Sequence, residues 1–283
     1  MGFEAKWLAA RGPYDEAALD PVAIGGIQRW GAELRPACAP VVVDLGSGTG
    51  AALGRVNRWL APRQVRAYAV DRDPTLLSVA AARGLLGEAV PVVADLLEPL
   101  DGRGGPEDGT VDLVVGHALA DLVPLDRLAA RVRALTRPGG LVHLALAYDG
   151  LTEFSPTADL DLERAMLAAF HRHMDRPSID ASSYGGSTAG RRLAPALAAA
   201  GLEVLIDAPS AWLVRADDGL IGQRVLSRLI RFVVEAVAEV GIVPPDDLEG
   251  WARDRRSALA DGTLSVRVEH RDVLARVPAK RAG

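Results

Sequence analysis

VVVDLGSGTG, residues 41–50, is the stretch whose reading decides the fold. Val41, Val42 and Val43 are an apolar, β-branched run of the kind that forms a strand buried on both faces. Asp44 closes the run, and Gly46, Gly48 and Gly50 follow at alternate positions. AALGRVNRWLA then begins a helix at Ala51. A strand, a glycine-rich turn and a helix in succession let a ligand lie against bare backbone, since glycine has no Cβ to hold it off. Two ligand chemistries suit such a turn. Gly46, Gly48 and Ala51 fit the G-x-G-x-x-G/A pattern that seats a dinucleotide pyrophosphate at a helix N-terminus. Asp44 speaks against that ligand, because its carboxylate would repel the pyrophosphate, and it speaks for a cationic one.

The alternation continues downstream. VRAYAV at 65–70 is a strand ending at Asp71, and Asp73-Pro74 opens a helix with Asp73 as N-cap and Pro74 in the first turn. VPVVA at 90–94 is a third strand ending at Asp95, VDLVV at 111–115 a fourth, and LVHLALA at 141–147 a fifth. DRLAARVRAL at 126–135 is helical and stops at Arg137-Pro138-Gly139-Gly140. Strands spaced by helices predict an α/β protein with a doubly wound, mostly parallel sheet and ligands at the carboxyl ends of its strands. Acidic residues stand at those ends. Asp71 suits the hydroxyls of a ribose, and Asp95 follows the third strand.

Together these segments resemble the class I S-adenosylmethionine-dependent methyltransferases over roughly residues 40–150. VVVDLGSGTG looks like their motif I, AYAVDRDP like the acidic motif of the second strand, and VVADLL like the adenine motif. VDLVVGHALADLVP and LTRPGGLVHLAL resemble the fourth and fifth strands with their flanking turns. The resemblance implies a seven-stranded sheet of order 3-2-1-4-5-7-6, with the last two strands antiparallel. It implies S-adenosyl-L-methionine as cofactor. Asp44, Gly46 and Gly48 would hold the methionyl end, Asp71 the ribose, and Asp95 with Leu96 the adenine, while Ser47, Arg72 and His117 would also touch the cofactor. Residues 1–40 would be a helical lid and 41–283 the methyltransferase domain, with cap insertions at about 150–189 and 217–262.

The helices read within these regions are KWLAARG, DEAALDPVAIGGIQRWGAEL, LDLERAMLAAFHRHM, residues 218–240 and PPDDLEGWARDRRSALA. In the 218–240 helix, Leu220, Val225, Leu229, Val233 and Val237 recur along one face, which permits a homodimer. LSVRVEHRDVLARVP at 264–278 is the last strand. Among the large residues of the lid, Trp7 and Trp30 read as core, and Tyr14 as a lid residue beside a Gly12-Pro13 hinge.

Composition narrows the acceptor. The net charge of −5 and pI of about 5.6 give no basic field for a nucleic acid. No N/D-P-P-Y/F segment follows the fourth strand, and the single cysteine, Cys38, precedes motif I. These features leave a small-molecule acceptor, with a protein acceptor as the alternative, and an oxygen, nitrogen or carbon nucleophile. No membrane span or signal peptide is read, so a cytoplasmic location is expected. No metal site is expected, since His171 and His173 lie two apart on a helix and face different ways. Candidates to handle a proton at the acceptor are His117, Tyr148 and His171, with Asp121 and Asp149 nearby, and Arg191-Arg192 could meet an anionic acceptor. Two other readings stand beside this one. The first is an NAD(P)-dependent oxidoreductase, and the second a non-catalytic binding protein of the same fold.

Overall fold

The computed structural model of the protein describes residues 5–35, 39–157, 159–176 and 184–279. Its centre is β1 (Val41–Leu45), flanked in parallel by β2 (Arg66–Asp71) and β4 (Val111–His117). Val42, Val43 and Leu45 are completely buried, as a strand between two helical layers must be. β3 (Val90–Val93) extends the sheet beyond β2, and β5 (Thr136–Ser155) lies beside β4. β7 (Ser265–Arg276) runs antiparallel between β5 and β6 (Glu203–Arg215), which gives the order 3-2-1-4-5-7-6.

One apolar layer packs α2 (Pro21–Glu33), α3 (Ala51–Leu60) and α4 (Pro74–Ala82) against the sheet, and the other packs α5 (Leu125–Leu135) and α7 (Ala189–Ala199). Asp73 caps α4 as its sequence predicts, accepting from the amides of Thr75 and Leu76 with Pro74 in the first turn. The N-terminal region departs from expectation. DEAALDPVAIGGIQRWGAEL is not one helix: α1 (Ala5–Ala18) ends before Asp20, whose side chain caps α2 through the amide of Ala23. Pro21 enforces that break, because it supplies no amide to continue α1 and fits the first turn of α2. Nor do Gly12-Pro13 interrupt α1, which runs through both.

The cap is built on an extension of the sheet. β5 does not stop where a helical insertion was expected at 150. After register shifts between Leu144 and Ala147 and between Tyr148 and Thr152, it runs on to Ser155 against β7. It also begins earlier than read, because Arg137–Gly140 falls inside the strand rather than before it. Over this extension sit α6 (Leu160–Met174), α8 (Leu220–Val240) and α9 (Pro245–Ala260). In α8 the buried face is formed by Val225, Leu226, Ile230, Val233 and Val237, whereas Leu220 is 71% exposed. Leu220 lies in the first turn, ahead of the stretch that reaches the cap core.

Asp272 pins the bend in β5. Its Oδ1 accepts from the Leu146 amide at 2.9 Å and the Ser210 hydroxyl at 3.0 Å, and its Oδ2 accepts from the Asp20 amide at 2.8 Å. Leu146 sits at φ 57°, a conformation that costs a non-glycine residue energy and persists only where neighbours impose it.

Candidate active site

The carboxyl ends of β1, β2, β3 and β4 open into one cavity of about 740 Å³. Nine residues singled out in the sequence line it: Asp44, Gly46, Ser47, Gly48, Asp71, Arg72, Asp95, Leu96 and His117. They come from four separate strand ends, and the parallel order β3-β2-β1-β4 brings them together. Gly46 and Gly48 adopt positive φ (67° and 53°), which a side chain would strain.

Asp71 organises the glycine turn. Its Oδ2 accepts from the Gly48 amide at 2.8 Å and its Oδ1 from the Asp73 amide at 2.9 Å. The second glycine's N–H, which a pyrophosphate on this turn would need, already has an acceptor. Asp44 is 1% exposed, and its Oδ2 has no hydrogen-bond partner among the described residues. Burial pushes its carboxyl up to about 7. The Ser47 hydroxyl is likewise buried, and its position beside Asp44 offsets part of that rise. A buried acidic residue that lines a cavity and keeps an unpartnered oxygen favours a cationic or donor group on the ligand.

The inner end of the cavity is made by residues that the sequence did not single out. Leu8, Arg11 and Asp15 of α1 line it, beside Arg55 of α3 and His117. Arg55 latches α1 down: its Nε donates to Glu16 at 2.9 Å and its Nη2 to the Gly12 carbonyl at 3.2 Å. Its Nη1 lies 3.3 Å from Nδ1 of His117, whose Nε2 lies 3.3 Å from Nδ1 of His143. A guanidinium can only donate, so His117 accepts at Nδ1 and donates from Nε2. Burial together with the charges around it holds His117 well below the usual imidazole range. Both ring nitrogens are engaged, and neither is left to take a proton from an acceptor.

The remaining candidates separate. Tyr148 and His171 meet, with the phenol oxygen 2.9 Å from Nε2 and 3.2 Å from the Thr152 hydroxyl. They stand outside the lining of the main cavity, in the cap region, 5.8 Å apart by ring centres. Burial raises the Tyr148 hydroxyl and lowers His171. His173 faces elsewhere and pairs with Glu239 at 3.0 Å. Asp121 is half-buried, and burial pushes it up to about 6. Asp149 is spent on Arg191 at 2.8 Å, and Arg192 donates to the Gly185 carbonyl, so the arginine pair is structural rather than an anion site. Tyr14 donates to Asp218 at 3.0 Å, joining α1 to the cap instead of facing the cavity. Trp7 is core, edge-on to Phe232 and Trp212. Cys38 lies outside the described residues.

Arg11, Asp15 and Arg55 escaped a linear reading because none stands in a motif. Only the docking of α1 on α3 assembles them. Among the described residues no group of three or more His, Cys, Asp or Glu side chains could hold a metal. No helix among them is long and apolar enough to cross a membrane.

Comparison with known proteins places this geometry. Residues 42–140 match the family described as "Methyltransferase domain". Searching curated proteins finds no match. Among solved structures, the chain resembles a candidate methyltransferase from Bacillus halodurans C-125 with a TM-score of 0.54, 15% identity, and coverage of 90% of this chain and 99% of that one. A candidate Type II methyltransferase from Anaeromyxobacter dehalogenans gives 0.53 at 22% identity, covering 90% and 97%. A candidate sarcosine dimethylglycine methyltransferase from Galdieria sulphuraria gives 0.50 at 14%, covering 91% and 84%. At these identities the likeness concerns fold. Residues 42–140 thus carry the likeness to a methyltransferase domain, and they sit in a sheet of the order 3-2-1-4-5-7-6 that the class I resemblance implies.

Proposed function

We propose that the protein is an S-adenosylmethionine-dependent methyltransferase acting on a small molecule. One observation carries the reading: a buried carboxylate, Asp44, lines the cavity and has an oxygen without a hydrogen-bond partner among the described residues, beside a glycine turn whose second amide is taken by Asp71. That surface repels a pyrophosphate and accepts an ammonium. When bound, the cofactor would supply an electrophilic methyl group on sulfur. The residues of this chain would bind and orient it: Asp44 and Ser47 at the methionyl end, Asp71 at the ribose, and Asp95 with the Leu96 amide at the adenine. Arg55, donating to the Gly12 carbonyl, would hold α1 over the inner end.

Methyl transfer of this kind needs alignment of the acceptor, and a base only where the acceptor must lose a proton. With His117 engaged at both nitrogens, Asp121 and the Tyr148–His171 pair remain as candidates, and all three lie beyond the cavity lining, so each would need the acceptor to reach past it. We propose the region 1–40 as a lid and the insertions as the acceptor wall, since α1 bridges the cavity and the cap.

Asp44 supplies the test through pH. In the free protein its carboxyl titrates near 7, raised above the unfolded value of about 3.8. A raised acid favours the protonated form on folding, so its contribution weakens the free protein as pH rises from about 4 through 7. A ligand ammonium favours the ionised form. Affinity for S-adenosylhomocysteine is therefore expected to rise with pH up to about 7, by at most about tenfold per unit, and to level above it. Calorimetry in buffers of different ionisation enthalpy should show proton release near pH 6 in the wild type and none in Asp44→Asn. A pH-independent affinity would remove Asp44 from the ligand site.

A further inference from the structure

Arg11 presents a guanidinium that the protein does not use up. Its Nε lies 3.3 Å from an Asp15 oxygen, and its guanidinium carbon lies 5.8 Å from the centre of the Trp212 ring. It makes no hydrogen bond to any described residue, although its side chain is only 15% exposed and it lines the cavity. The other arginine at this end, Arg55, is engaged at Nε, Nη1 and Nη2. A guanidinium whose Nε side faces Asp15 still offers the Nη1–Nη2 edge, the fork that matches a carboxylate.

Its place in the fold says whose carboxylate. Trp212 is on β6, at the edge of the sheet, and β5 and β7 separate β6 from β4. Three strand spacings from β4 amount to about 14 Å. A guanidinium over Trp212 therefore leans toward the cap, away from the turn after β1. Its charge also bears on His117, Asp121 and His270, which surround it from β4, the turn that follows β4, and β7. Leu8, Leu119 and Leu122 supply apolar wall in the same cavity. Asp15 and Asp44 line it too, and oppose a doubly charged phosphate more than a singly charged acid.

We infer that Arg11 is the anchor of the methyl acceptor, and that the acceptor is a small organic acid with an apolar body whose carboxylate this guanidinium grips. The inference rests on the methyltransferase reading above and adds the substrate class to it.

The test uses the full chain saturated with S-adenosylhomocysteine, so that the cofactor's own carboxylate is already placed. Ligand-observed NMR is run with benzoate, phenylacetate and hexanoate against benzamide, phenylacetamide and hexanamide. At least one acid is expected to bind about tenfold or more tightly than its amide, as a charge-assisted pair requires. That preference should vanish in Arg11→Met and shrink in Arg11→Lys, which keeps the charge and loses the fork. Affinity for S-adenosylhomocysteine should stay within about threefold in both variants, and the melting transition confirms that they fold; if Arg11→Met does not fold, Arg11→Lys carries the comparison. An equal preference in wild type and variant overturns the proposal, as does no acid outbinding its amide. A folded variant with cofactor affinity down tenfold also overturns it, assigning the arginine to the donor. If the wild type binds no S-adenosylhomocysteine at all, the underlying methyltransferase reading has failed, a result distinct from the others.

Discussion

Replacing Asp71 with alanine is expected to weaken S-adenosylhomocysteine binding by about 10- to 100-fold, with a lower melting temperature of the free protein as well, since the Gly48 and Asp73 amides lose their acceptor. The carboxylate does two jobs. It accepts from the Gly48 and Asp73 amides and so sets the turn, and it faces the cavity with lone pairs left for a ribose hydroxyl. A hydrogen bond to a charged group is worth roughly 1.5–3 kcal/mol, which is the source of the range. Asp71→Asn keeps one acceptor oxygen but turns an amide N–H₂ toward an N–H donor, so it should fall between wild type and alanine. Calorimetry checks the ranking. Unchanged binding in Asp71→Ala would detach the second strand end from the ligand.

Asp272→Ala is expected to be the most damaging single change outside the cavity, lowering stability by about 3–6 kcal/mol. The side chain is fully buried and receives three donors, the Leu146 and Asp20 amides and the Ser210 hydroxyl. Truncation leaves all three without their acceptor, at about 1–3 kcal/mol for each buried group, less whatever relaxation recovers. It also releases Leu146 from its left-handed conformation. Urea denaturation measures the loss. The bend that Asp272 holds comes just before Tyr148, so near-ultraviolet circular dichroism should report a change around that ring as well. A loss under about 1 kcal/mol would show that the bend is held by other contacts.

What could be read from the chain followed the range of its interactions. VVVDLGSGTG, Asp73-Pro74 and the acidic residues at strand ends are local patterns, and the structure puts them where local chemistry places them. The class I resemblance supplied the position of β7 between β5 and β6, which no periodicity encodes. What stayed hidden was long-range. Asp272 looks like one more charge in EHRDVLAR, and only the fold shows it meeting Asp20, Leu146 and Ser210. Arg11, Asp15 and Arg55 join through the docking of two helices whose sequences say nothing about their partner. Leu220 fits the helical stripe of α8 yet is exposed, because periodicity fixes a face and not how far along it the neighbours reach. Tyr14 carried the right size and position for a lid, but Asp218 takes its hydroxyl.

The cavity's acidic lining is the central claim, and competition between two nucleotides at that cavity tests it most directly. Titrating the wild type with S-adenosylhomocysteine should give saturable one-to-one binding, and NADH at millimolar concentration should neither produce its own binding isotherm nor shift that affinity. Saturable binding of NADH that displaces S-adenosylhomocysteine, or occurs in its place, would contradict the account.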